Sequence, residues 1–156
     1  YEGRWHLFFT ARSAKQYTIG CVSADKLTEG KVVLEGVHEA VHIYKIKDPY
    51  KFHMIYEMNH DGTRSFGLAT ASKLAGPWKK ITDRYATGDQ LKYVGKDKKW
   101  TDMVSHGEAL RSGYDQRLEY EPQECRWIIQ GLLKDELKDP YPSLPWKLGV
   151  IEKKEY

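Results

Sequence analysis

Two polar side chains stand in stretches that otherwise read as strands, and both carry groups able to move protons or bind metals. Glu39 lies in VHEAVHIY and His106 in MVSHGEALR. A carboxyl group on an apolar strand has its charged form disfavoured by desolvation. A raised pKa is what a general acid needs to stay protonated near neutral pH. The residues alone leave a second reading of each open. Glu39 could be a carboxylate paired with Arg or Lys, or one facing solvent, and His106 a hydrogen-bonded core histidine. His38 and His42 lie one and three positions from Glu39, so strand alternation sends both to the opposite face. Neither has a spacing that makes a metal motif.

The elements that must carry these residues repeat. WHLFFT (5–10) followed by TIGCVSADKL (18–27) reappears as FHMIYE (52–57) followed by FGLATASKL (66–74). Trp5 to Phe52, His6 to His53, Gly20 to Gly67 and Leu27 to Leu74 are each 47 residues apart, with no gap. A looser third copy begins at RWIIQG (126–131) and closes with LGVIE (148–152). Each copy reads as a β-hairpin: an aromatic-rich strand, a turn, then a strand opening on a small residue. NHDGTR (59–64) carries an Asp-Gly turn signal, and GPW (76–78) ends the middle unit. No stretch sustains a 3.6-residue apolar period, so helices should be few and short.

An all-β chain with a repeat near this length fits a β-propeller, whose blades are small antiparallel sheets around an axis. Inner strands are expected at HEAVHIYKI (38–46) and MVSHGEALR (103–111), each ahead of its hairpin. The first hairpin lacks such a strand, so the reading is about two and a half blades of a partial five-bladed propeller, including the C-terminal blade. A closed ring needs roughly three hundred residues. Residues 1–156 are therefore expected to be the C-terminal part of a single catalytic propeller domain, a fragment of a longer protein.

Composition narrows the function classes. The 30% of charged residues mix both signs, the net charge is +3, and the densest basic run, KYVGKDKK (92–99), forms no stripe. Nucleic acid is not expected as a partner, and no apolar run is long enough to cross a membrane. Aromatic residues make up 13% of the chain; they suit strands and also stack on sugar rings. Cys21 and Cys125 form no CxxC and either pair or stand as two buried thiols.

Longer blocks carry a family resemblance. TDMVSHGEALRSGYDQRLEYEPQECRWIIQG (101–131) and YPSLPWKLGVIE (141–152) resemble the C-terminal end of glycoside hydrolase family 62, the α-L-arabinofuranosidases. The family ends in a similar order: a Ser-His-Gly-acid-x-x-Arg stretch, an Asp-Gln pair, an aromatic-Gln-Gly strand (Ile129-Gln130-Gly131 here) and Tyr-x-x-Leu-Pro-Trp. EAVHIYKI is similar to the family strand that carries its catalytic glutamate, and FGLATASKLAGPW to the strand and turn after it.

The resemblance implies a five-bladed inverting glycosidase with Glu39 as general acid. It implies that His106 holds a calcium ion near the axis, and that Tyr141 and Gln130 line the arabinose pocket. Arg111 and Asp102 are further pocket candidates. The substrate implied is a polysaccharide, arabinoxylan or arabinan, which in turn implies a secreted protein. The family's base aspartate and a second, tuning aspartate would lie ahead of Tyr1, so this piece alone is expected to be inactive. Pro142 stands where the family commonly has Asn, and Val41 and His42 where it has small polar residues; these departures bear on substrate preference. A non-catalytic sugar-binding propeller, a family 43-like β-xylosidase or arabinanase, and a structural β domain are the competing readings.

Overall fold

The computed structural model describes residues 1, 3–12, 16–23, 29–46, 52–94, 98–111 and 118–153. The Leu27 end of the first repeat copy, part of the basic run, and the Asp115–Gln116 pair lie outside them. Among the described residues the fold is all-β, three antiparallel sheets with none closed. The first sheet orders β1 (His6–Arg12), β2 (Tyr17–Ser23) and β3 (Lys31–Val37). The second orders β4 (Glu39–Lys45), β5 (Phe52–His60), β6 (Thr63–Ala71) and β7 (Lys79–Ala86). The third orders β8 (Ser105–Ala109), β9 (Arg126–Gly131) and β10 (Lys147–Glu152). Among the described residues, helical structure is limited to short 3-10 turns at Gly88–Gln90, Lys134–Glu136 and Tyr141–Ser143.

The three expected hairpins are β1–β2, β5–β6 and β9–β10, and the expected inner strands are β4 and β8. Both inner strands are shorter at their ends than the sequence pattern suggested. β3 and β7 were not anticipated. Each is an edge strand with only part of its surface buried, and such strands lack the apolar run that marks a buried one.

Strand β5 shows why its sequence FHMIY reads as continuously apolar. Phe52, Met54 and Tyr56 face the first sheet, in a core with Ile19, Leu34 and Val37. Ile55 faces the third sheet, in a core with Trp127 and Ile129. A strand buried on both faces has no polar side to alternate with. The two cysteines are free and buried, one in each flanking sheet region.

The repeat has a packing reason. Phe9 pairs with Gly20 across β1–β2, and Tyr56 pairs with Gly67 across β5–β6. Each aromatic ring lies over its glycine, where a side chain would clash. A Cβ at Gly67 would stand 2.2 Å from the Tyr56 ring, and one at Gly20 would stand 2.4 Å from the Phe9 ring. The two cases differ in what can move. Tyr56 is fully buried, and its hydroxyl donates to Asp83 Oδ1 at 2.7 Å. Phe9 is 36% exposed and has room to swing outward. We therefore expect Gly67→Ala to destabilise by about 2–3 kcal/mol and Gly20→Ala by less. Urea midpoints of the two variants test this; equal shifts would contradict it.

His53 adds a pH dependence to the fold. It is buried on β5, and its Nδ1 shares a 2.6 Å hydrogen bond with the Tyr120 hydroxyl. Burial pushes the His53 imidazole down to about 4. Because the folded-state value is depressed, the unfolded chain takes up this proton first as pH falls through about 6.5. Stability is then lost between that pH and about 4, where the folded state protonates too. The loss by pH 4.5 is about 2–3 kcal/mol. In His53→Gln the stability difference between pH 7 and 4.5 should shrink by about that amount; an unchanged difference would show that His53 titrates normally.

Candidate active site

Glu39 opens β4 opposite Glu57 of β5. Two residues later the register slips. Glu39 faces Glu57 and His42 faces Ile55, so Ala40 and Val41 together oppose Tyr56. This is a β-bulge, and Ala40 enters it with φ of 52°, a left-handed conformation that costs a non-glycine residue about 1–2 kcal/mol. The extra residue returns His42 to the face that carries Glu39. His38, just outside the strand, sets its Nε2 3.3 Å from Glu39 Oε1. The expectation that both histidines point away is thus overturned: His42 lies beyond the bulge, and His38 lies ahead of the strand, where strand alternation does not govern it.

The apolar surroundings expected for Glu39 are also absent. Its side chain is 37% exposed, and Arg64 Nη1 donates to its Oε1 at 3.0 Å. The same Nη1 donates to Glu57 Oε1 at 2.6 Å. Glu57 is fully buried. Its Oε2 accepts from Ser105 Oγ at 2.7 Å and from the His106 backbone N–H at 2.9 Å. A second bulge makes this possible: Ser105 pairs with Gln130 and Gly107 with Ile129, which leaves His106 as the extra residue of β8. Three sheet elements thereby converge on one buried carboxylate, with an arginine between it and Glu39. The His38 imidazole is held below its usual range by burial and by Arg64, against the pull of Glu39 and Glu57.

His106 lies beside this network with its side chain 44% exposed. Its Nδ1 is 3.1 Å from Ser105 Oγ and 3.5 Å from Glu57 Oε2. Since the Ser105 proton goes to Glu57, the hydrogen-bond chain assigns the imidazole proton to Nδ1. Nε2 is left with the ring's lone pair. Metal-binding histidines are oriented in this way, with a carboxylate behind the far nitrogen. The donor count is small for calcium, which takes six to eight oxygens. His106 offers one nitrogen, and both oxygens of Glu57 are engaged. His38, Glu39 and Glu57 also lie close together, but Arg64 already bridges the two carboxylates there.

The other sequence candidates are spread around this centre. Gln130 is half-buried on β9, paired with Ser105. Asp102 accepts from the Lys134 backbone N–H at 2.9 Å and is ion-paired with Lys99. That lysine is the main reason its carboxyl sits below the usual range. Asp102 and Arg64 share a polar pocket of about 360 Å³ that also includes Ser65, Arg84 and Lys134. Arg111 Nε lies 3.5 Å from Glu108 Oε1, and Glu108 Oε2 lies 3.4 Å from His42. Tyr141 is 52% exposed on its 3-10 turn, with its ring against Trp146.

Glu57, Arg64 and Ser105 were not singled out from the sequence. A signal existed in the repeat: Glu57 falls where the first copy has Thr10, and Arg64 where it has Tyr17. Opposite charges entering one copy together, on paired strands, mark a buried ion pair.

Comparisons with known proteins agree with this fold. Over 123 residues the chain is 30% identical to alpha-L-arabinofuranosidase C of Cellvibrio japonicus, covering 75% of this chain and 19% of that protein. The catalytic domain of a Coprinopsis cinerea GH62 alpha-L-arabinofuranosidase superposes with a TM-score of 0.77 at 28% identity, over 94% of this chain and 52% of that one. An alpha-L-arabinofuranosidase from Podospora anserina in complex with cellotriose gives 0.79 at 25% identity, over 96% and 50%. The chain thus spans about half the length of these structural relatives. The model of glycosyl hydrolase family 62 matches residues 6–152, from the start of β1 to the end of β10, and the chain belongs to that family.

Proposed function

We propose that the full-length protein is a glycoside hydrolase that removes α-L-arabinofuranosyl side groups from arabinoxylan or arabinan, with inversion and with Glu39 as general acid. The observation that carries this reading is the setting of Glu39: a half-exposed carboxyl at the end of an inner strand, anchored through one oxygen. In this mechanism Glu39 gives its proton to the glycosidic oxygen as the bond from that oxygen to the sugar's anomeric carbon breaks. A water attacks the same carbon from the opposite face, and a second carboxylate, about 6.5–9.5 Å from the first, takes the water's proton. That carboxylate is proposed to come from the part of the fold that the relatives have and this chain does not span.

Gln130 and Tyr141 are proposed sugar contacts. Asp102 and Arg111, each tied to a neighbouring charge, are proposed to shape the rim. Calcium at His106 belongs to the same proposal, with Nε2 as the ligand from these residues and water supplying most of the rest. Bound there it would brace the site, and no proton transfer runs through it. Secretion belongs to the same proposal, since a polysaccharide substrate lies outside the cell.

Product analysis after incubating the full-length protein with arabinoxylan and with arabinan tests the reading. Free arabinose is the expected product. Release of xylose or of arabinan oligosaccharides would point instead to a family 43-like specificity, and sugar binding without any release to a non-catalytic propeller.

A further inference from the structure

Resting on Glu39 as the acid, we infer that Arg64 is a positioning residue that grips Glu39 by Oε1 and so leaves Oε2 to deliver the proton. Two donors reach the same oxygen: Arg64 Nη1 at 3.0 Å and His38 Nε2 at 3.3 Å. Among the described residues nothing bonds Oε2. A carboxyl group held by one oxygen presents the other in a fixed direction, and the exposed side of Glu39 is where a leaving group must stand.

Arg64 is itself fixed from beneath. Its guanidinium is mostly buried, and Nη1 donates to Glu57 Oε1 at 2.6 Å. Glu57 in turn is locked by Ser105 and the His106 N–H. The backbone closes the assembly, because the Val104 N–H donates to the Arg64 carbonyl at 3.0 Å and the His38 N–H to the Glu57 carbonyl at 2.9 Å.

Stability alone does not account for the bond to Glu39. The buried charge of Glu57 is already matched by Arg64, and an ion pair to a half-exposed, solvent-screened carboxylate adds little stability. What the second N–H contributes is orientation. Both bonds come from one nitrogen, whose two N–H groups are fixed in the guanidinium plane, whereas the freely rotating ammonium of lysine on its flexible stem holds no set pair of directions. Misplacing a reacting group by about 1 Å costs on the order of a hundredfold in rate.

The test uses the full-length protein on arabinoxylan, with rates expressed per folded molecule. Arg64→Lys keeps a cation for Glu57 and loses the fixed pair of N–H directions at Nη1. A second variant, E57Q/R64M, removes both charges of the buried pair and keeps an acceptor for Ser105. In both, kcat should fall by about ten- to a hundredfold while KM stays within about twofold, since substrate still binds but meets a wandering acid. If either variant folds and keeps the parent's kcat, the inference fails and the assignment of Glu39 stands. Equal losses in amount folded and in total rate, with kcat per folded molecule unchanged, would make Arg64 purely structural. Should the parent itself release no arabinose, both the inference and the reading it rests on are overturned.

Discussion

Replacing Arg64 by methionine is expected to lower the stability of the fold by about 3–5 kcal/mol, the usual cost of stranding one charge of a buried pair. Glu57 is fully buried. Its Oε2 is satisfied by Ser105 and by the His106 N–H, which are neutral donors. The guanidinium of Arg64 is the cation at its Oε1, 2.6 Å away. Methionine fills similar space but takes the arginine cation away from a carboxylate in a low-dielectric interior. The E57Q/R64M variant should recover much of the loss, because a neutral side chain at 57 no longer needs the cation. Urea denaturation of the three proteins measures this. A loss below about 1 kcal/mol in Arg64→Met would mean that water or another cation reaches Glu57.

The sequence was most legible where one physical rule acted alone. The offset between Phe9–Gly20 and Tyr56–Gly67 is visible because each ring needs a bare glycine beneath it. The hairpin strands could be read from their aromatic runs, and Glu39 and His106 from being polar in the wrong place. Legibility ended at the bulges. Strand alternation places His42 away from Glu39, and only the extra residue at Ala40–Val41 brings it round. The same is true of Ser105 and His106, which both turn toward Glu57 because β8 slips by one residue. Edge strands β3 and β7 were invisible for the opposite reason, since half-exposed strands carry mixed residues. The polar partners of Glu39 come from β6 and from the residue ahead of β4, and no local pattern announces a contact between Glu39 and Arg64.

The second large effect belongs to Glu39 itself. Glu39→Gln keeps the size of the side chain and an oxygen for Arg64 to donate to, so the fold should change in stability by less than about 1 kcal/mol. The amide has no proton to give. When the glycosidic bond breaks, the polysaccharide oxygen departs as an alkoxide unless it is protonated, and loss of a general acid typically costs about 10²–10⁴-fold. The measurement that most directly tests the central claim is therefore arabinose release from arabinoxylan by the full-length protein, beside its Glu39→Gln variant at equal folded concentration. Release by the parent with a loss of at least about a hundredfold in the variant is the predicted result. Release undiminished in the variant would contradict it and move the acid to another residue.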